Sequence, residues 1–185
     1  MQAARGASLI HSDQGTDEPT TRPRRTWGLF ALVALAAYAV DLGTKQWALA
    51  NLEDGDVRLV GDWLVLHLTH NPGAAFSTGT EFTIVFSCLA VVAVLVVLWL
   101  SRRLGSPLWA VALGLLLGGV AGNLSDRLVR EPAPMRGHVV DFLMLPNWPV
   151  FNVADMCINV AAALIIVQSF RGVMLSGGRV RKDES

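Results

Sequence analysis

Residues 82–100 read "FTIVFSCLAVVAVLVVLWL". This run of nineteen residues carries no charge and only two hydroxyls, Thr83 and Ser87. A helix needs about 20 apolar residues to cross about 30 Å of hydrocarbon. The stretch therefore predicts a transmembrane helix. Three neighbours support the same reading: Trp27–Val40, continuing through Asp41 to about Leu49; Leu108–Leu124; and Val153–Val173. The last spans a bilayer unaided. The first does so only with its polar end "DLGTKQW" (41–47). The third is short and needs a thin bilayer or shielding by its neighbours.

Over the whole chain of 185 residues, 52% are hydrophobic. The mean hydropathy is +0.45. This is too apolar for an ordinary soluble domain and short enough for one compact unit. Formal net charge is zero, so charge indicates no nucleic-acid partner. Residues 1–25 are polar and read as a disordered cytoplasmic tail. A signal peptide is a poorer reading of the start, because its polar lead is long and no small-residue cleavage site follows Val40. The membrane unit is expected over 26–174, with a cytoplasmic C-terminal tail over 175–185.

The basic residues orient the segments. Arg5, Arg22, Arg24, Arg25, Arg102, Arg103, Arg171, Arg179, Arg181 and Lys182 fall on one side; Lys45, Arg58, Arg127, Arg130 and Arg136 fall on the other. Ten against five predicts that both termini are cytoplasmic. The long connections, about 51–81 and 125–152, then face outward. In the first, "WLVLHLTH" (63–70) alternates with period two, as a strand does. In the second, "HVVDFLML" (138–145) is β-branched and aromatic. The expected fold class is thus a membrane all-α core of four transmembrane helices with a small β-rich element on the outer surface. Trp63 and Trp148 suit the interface.

Gly114, Gly118 and Gly122 recur every four residues, with Gly119 beside them. They predict close helix contact and bring Asn123, Asp126 and Arg127 near another helix. Cys88 and Cys157 form no CxxC and read as buried small hydrophobes.

Ionisable groups at membrane depth cost a few kcal/mol each on even the mildest scales, so each needs a reason. Asp41 and Lys45 lie at i, i+4 in the favoured order. On these residues alone they read as an ion pair near the outer interface, with Lys45 snorkelling, as readily as part of a site. Asp126 beside Arg127 reads as a structural pair at least as readily as a catalytic acid. Asn152 is a good N-cap, and Asp155 three residues on resembles a capping box. Asn159 continues that face. Asn71-Pro72-Gly73 is a turn signal, and Gly73, Ala74 and Ala75 admit a close approach of backbone or substrate. Asp141, on a strand face with Val139 and Leu143, lacks an obvious partner. Arg127, Arg136 or a second carboxylate all qualify.

If Asp141 and Asp155 face each other across a water, like charges ~4 Å apart repel by about 4 kcal/mol at an effective dielectric near 20. That is about three pKa units, so the pair shares a proton and titrates as a unit. One carboxylate and one carboxylic acid holding a water is the aspartic-protease arrangement. The helix N-terminus favours charge at Asp155, which makes Asp155 the base and Asp141 the acid. No GxSxG or Ser/Lys motif points to a serine enzyme. His67, His70 and His138 lack HExxH spacing, so no metal site is expected. A small proton- or ion-coupled transporter is the alternative, since such carriers also bury acids. A non-enzymatic scaffold is a third. The polar groups gather at the outward ends of segments one, three and four, not along a path through the bilayer, which favours the enzyme.

Taken together, "DLGTK" (41–45), "NPGAAFS" (71–77), "GNLSDR" (122–127), "GHVVDF" (137–142) and "FNVAD" (151–155) resemble the bacterial lipoprotein signal peptidases, signal peptidase II. They occur in the family's order, over about Trp27 to Val173. The resemblance implies a four-helix aspartyl endopeptidase of the bacterial cell membrane, with its active site at the outer leaflet. It implies cleavage of prolipoproteins just before a diacylglyceryl-modified cysteine, no cofactor, contact with membrane lipid, and inhibition by globomycin-type compounds. Asp141 and Asp155 match the catalytic pair. Asp41, Lys45, Asn71, Gly73, Asn123, Arg127 and Asn152 match supporting or substrate-binding positions. Met156, the proline-rich "VREPAPMR" (129–136) and the long N-terminal tail depart from the pattern.

Overall fold

The computed structural model describes residues 22–73 and 82–179, with side chains from Arg25 onward. Residues 1–21 of the expected N-terminal tail lie outside the described residues, whereas its last four, Arg22–Arg25, open α1. The pair Ala74–Ala75, Arg181 and Lys182 also lie outside. The elements run α1 (Arg22–Asn51), β1 (Val57–Val60), β2 (Leu64–Asn71), α2 (Thr83–Ser101), α3 (Pro107–Val129), β3 (Val139–Met144) and α4 (Val153–Phe170). All four helices are long and apolar enough to cross a membrane.

The helices are arranged inside out relative to a soluble bundle. The buried residues of α2 are Thr83, Ser87, Val97 and Ser101, while Val85, Leu89, Val92 and Leu95 are exposed. In hydrocarbon an outward apolar side chain costs nothing, and a hydroxyl gains by turning inward to a partner. Ser87 bonds to the carbonyls of Thr83 (2.9 Å) and Met135 (2.8 Å).

α3 is the central helix, packed against the other three. Its glycines make this possible. A Cβ on Gly114 would stand 2.9 Å from the Phe30 carbonyl, one on Gly118 2.6 Å from that of Ala34, and one on Gly119 2.6 Å from that of Ala154. Gly114 and Gly118 thus seat α1, and Gly119 seats α4.

The third segment is not short. α3 has 23 residues and carries Asn123, Asp126 and Arg127 inside its last turns, because groups from other elements satisfy those side chains. α1 likewise runs unbroken through Asp41 and Lys45. α4 stops at Phe170, three residues before the expected end.

The three strands form one antiparallel sheet in the order β1-β2-β3. Thr69 faces Asp141 and Asn71 faces Val139, with a register shift between Leu66 and Thr69. The alternation expected of β3 is absent, since Val139, Val140, Asp141 and Phe142 are all buried. Trp63 and Trp148 are exposed. One apolar cluster (Phe30, Val97, Leu104, Ala110, Leu113) fills the bundle end near the α2–α3 turn. A second (Ala48, Leu52, Leu66, Phe142) joins α1 to the sheet. The polar residues lie between them. After α4 the chain folds back: Gly105 and Ser106 donate to the Leu175 carbonyl at 2.8 and 3.1 Å.

Candidate active site

α4 begins at a capping box. Asn152 Oδ1 accepts from the Asp155 backbone N–H at 3.0 Å, and Asp155 Oδ2 accepts from the Asn152 N–H at 3.1 Å. The structural reading of Asp155 is therefore true, but it leaves the other carboxylate oxygen free for a second partner. Asp155 Oδ1 accepts from Asn123 Nδ2 at 2.9 Å.

Asp141 comes from β3. Its Oδ1 accepts from Asn152 Nδ2 at 2.6 Å and its Oδ2 from Asn71 Nδ2 at 2.8 Å. Asn152 thus holds both acids, one by its side-chain nitrogen and the other through the cap. Neither Arg127 nor Arg136 is the ion-pair partner of Asp141 among the described residues. Asp141 is 2% exposed, while Asp155 is half-buried. Burial pushes the Asp141 carboxyl up to about 7, the Asn71 and Asn152 donors pull the other way, and the nearby charge of Asp155 adds to the rise.

Three asparagines share one logic. The oxygen of each is taken by a donor, so its nitrogen must point at an acid. Asn71 Oδ1 accepts from Gly73 N–H at 2.8 Å. Asn123 Oδ1 accepts from Lys45 Nζ at 2.8 Å and from Asn152 Nδ2 at 3.1 Å. Asn152 Oδ1 accepts from Asp155 N–H. The amide orientations are thereby fixed, and both carboxyls receive two donors.

Behind them sits a buried ion cluster. Lys45 Nζ lies 2.8 Å from Asp41 Oδ2 and 2.9 Å from Asp126 Oδ2. With Asn123, these give the ammonium three oxygens. Lys45 is fully buried, so it does not snorkel. The other oxygen of Asp41 accepts from the Ala154 N–H at 2.8 Å, tying α1 to the first turn of α4. Asp126 pairs with Lys45 and Arg130, not with Arg127, and it accepts from the Val140 N–H at 3.2 Å. Arg130 was not singled out in the sequence, although its i, i+4 spacing from Asp126 was the available signal.

Arg127 is 9% exposed and pairs with no carboxylate among the described residues. Its guanidinium lies over the Phe86 ring at 5.9 Å and beside Gly73, where a Cβ would stand 3.3 Å from both terminal nitrogens. Gly73 has φ +108, a conformation that favours glycine. Asp141 and Asp155 are within the guanidinium's electrostatic range.

Other sequence candidates lie elsewhere. Asn159 is exposed and outside the network. His67 bonds Asp56 at 2.8 Å on the surface. No group of three or more His, Cys, Asp or Glu is placed to hold a metal among the described residues. Cys88 is exposed on α2, contrary to the buried position expected for it, and Cys157 is half-buried. An outward thiol is tolerated because that face meets lipid.

A family model for signal peptidase (SPase) II matches residues 33–171, from the middle of α1 to the end of α4. The chain belongs to the signal peptidase II family. It is 44% identical over 174 residues to a lipoprotein signal peptidase of Mycobacterium avium (strain 104), covering 92% of this chain and 96% of that one. It is 46% identical over 167 residues to one from Streptomyces coelicolor, covering 90% and 81%. The fold also matches a bacterial membrane enzyme solved by the in meso method at 1.9 Å, with TM-score 0.69 and 22% identity, over 78% of this chain and 94% of that one. Membership in the signal peptidase II family makes this chain a multi-pass membrane peptidase. It leaves the transporter and scaffold readings without support.

Proposed function

We propose that this peptidase is an aspartyl endopeptidase that removes signal peptides from prolipoproteins, cutting just before a diacylglyceryl-modified cysteine. The observation that carries the aspartyl reading is Asn152, which bonds Asp141 and caps the helix turn bearing Asp155. The relatives' name, lipoprotein signal peptidase, supports the substrate class.

Asp141 is the deeper acid and holds the proton. Asp155, at the N-terminus of α4, is the carboxylate. Asp155 takes a proton from water, the water oxygen bonds the scissile carbonyl carbon, and Asp141 gives its proton to the carbonyl oxygen. The diol then collapses. Asp141 regains its proton as the carbonyl re-forms, the C–N bond breaks, and Asp155 passes its proton to the leaving amine of the lipidated cysteine. Arg127 brings positive charge to this centre without a carboxylate to neutralise it, which favours the developing oxyanion. Asn71, Asn123 and Asn152 hold the acids, while Asp41 and Lys45 hold Asn123 and the start of α4. Gly73 keeps the space beside Arg127 open.

The basic-residue bias supports cytoplasmic termini and acids at the outer leaflet of the cell membrane. There the substrate's apolar helix and acyl chains stay in lipid while its scissile bond meets the acids. Anchoring both partners in one bilayer helps orient that bond. Globomycin-type compounds are expected to compete at this site. The unit of function centres on 26–174, with Arg22–Arg25 continuing α1 and Leu175 tied to the α2–α3 turn.

The test is cleavage of a lipidated precursor by the reconstituted protein. Asp141→Asn and Asp155→Asn should each abolish it with the thermal transition retained. Full cleavage by either folded variant would refute the mechanism.

A further inference from the structure

On the far side of α3 from the acids runs an apolar groove of ≈ 490 Å³. Its walls are a stripe of α1 (Trp27, Ala31, Tyr38) and a stripe of α2 (Val94, Leu98), and its floor includes Ala121 and Ser125 of α3. At 3.6 residues per turn, Ser125 and Asn123 point about 160° apart around α3. The groove therefore does not communicate with the acid pair across the helix. It holds one polar feature, a hydrogen bond of 2.9 Å between the Tyr38 and Ser125 hydroxyls.

Two observations bear on the occupant. The first is size. The groove's ≈ 490 Å³ suits a single flexible hydrocarbon chain lying between the two helices. The second is charge. Val94, Leu98 and Arg102 lie on one stripe of α2 at i, i+4 and i+8, and Arg102 keeps a helical backbone (φ -64, ψ -18). Arg103 follows, its guanidinium 4.7 Å over the Trp99 ring. Both arginines are exposed and neither forms a salt bridge among the described residues. Trp27 and Trp99 are half-exposed at the same end, the depth at which tryptophan meets lipid headgroups.

We infer that this groove binds one anionic glycerophospholipid from the leaflet on the side of the α2–α3 turn, an acyl chain lying between α1 and α2 and its phosphate meeting Arg102 and Arg103. Basic clusters closing a cleft between transmembrane helices recognise such headgroups. The lipid fills the gap between two helices that otherwise meet through α3. It thereby steadies α2, whose other end carries Phe86 against Arg127.

The experiment is native mass spectrometry and thermal unfolding of the detergent-solubilised full chain with phosphatidylglycerol or phosphatidylcholine. The wild type should retain one phosphatidylglycerol with a preference on the order of tenfold over phosphatidylcholine, and gain thermal stability from it. Arg102→Gln with Arg103→Gln should bring that preference to about one while lipid still binds. Ala121→Phe, which fills the floor, should reduce retention of both lipids; Ala31→Leu is the milder version should the first fold poorly. Equal retention of the two lipids by the wild type, or a preference untouched by the arginine variant, would overturn the inference. So would lipid retention unchanged in both groove variants.

Discussion

Asn152 donates its side-chain amide to Asp141 at 2.6 Å while its oxygen caps the backbone N–H of Asp155 at 3.0 Å. One side chain therefore does two separable jobs. Serine caps a helix nearly as well as asparagine but has no nitrogen to offer an acid. Asn152→Ser keeps the cap but strands the buried acceptors of the amide nitrogen, so it should cost about 1–3 kcal/mol of stability and lower the cleavage rate roughly a hundredfold. Thermal unfolding and precursor cleavage on the same preparation check this. A rate loss matched only by unfolding would show that the cap alone matters.

Lys45 holds Asp41, Asp126 and Asn123 together with no exposure to solvent. Removing one partner of a buried ionic cluster leaves uncompensated charge and costs about 3–5 kcal/mol. Lys45→Met should lower the stability by that much, read as a fall in the thermal transition. Adding Asp41→Asn should recover part of the loss, because one stranded charge is then gone. A Lys45→Met protein as stable as the parent would contradict the cluster.

Asp141 should set the alkaline limit of the reaction. Its carboxyl is pushed up to about 7, mainly by burial, so the proton it must donate is lost as pH rises through that value. The folded state binds this proton more tightly than the unfolded chain, whose aspartates titrate near 4. Asp141 therefore favours folding fully below about pH 4, and its contribution fades as pH rises through about 7. The Asn71 donor opposes the rise. Asn71→Ala should thus move the alkaline limb of the cleavage profile to higher pH, and a shift to lower pH would rule out this assignment.

The glycines separate by what surrounds them. A Cβ on Gly122 would strike the Asp41 carboxylate, and one on Gly118 would stand 2.6 Å from the Ala34 carbonyl. Gly43, also helical, has open space around the same position. Gly122→Ala and Gly118→Ala should destabilise the protein by about 1–3 kcal/mol through overpacking. Gly43→Ala should stabilise α1 by up to about 1 kcal/mol. Thermal unfolding of the three variants in one detergent gives the order directly.

Much of this fold was legible in the chain, and the reasons are local. The run 82–100 has the length and uniformity of a bilayer span, and no tertiary contact is needed to read it. "WLVLHLTH" announced β2 by its period. β1 was not anticipated: "VRLV" is short, every residue is exposed, and only its pairing with β2 makes it a strand. The short estimate for α3 failed because "NLSDRLV" looks too polar to continue a membrane helix. Lys45 lies 78 residues from Asn123 along the chain. It satisfies that polarity from another helix, which a window on the sequence does not contain.

The same division runs through the site. The residue types and their spacing pointed to Asp141 and Asp155, because an acid at membrane depth is conspicuous in an apolar context. Asn71 and Asn152 read there as a turn and a cap, and only the family resemblance set them beside the acids. Which groups pair was decided by packing. The choice of Arg130 over Arg127 for Asp126, the inward turn of Lys45, and the orientation of each asparagine amide depend on where α1, α3, β3 and the start of α4 converge. Hydrogen bonds are short-ranged and directional, so a change of about an ångström in that convergence reassigns them. Primary structure determined that these polar groups had to find partners within the bundle, and only the folded arrangement determined which ones.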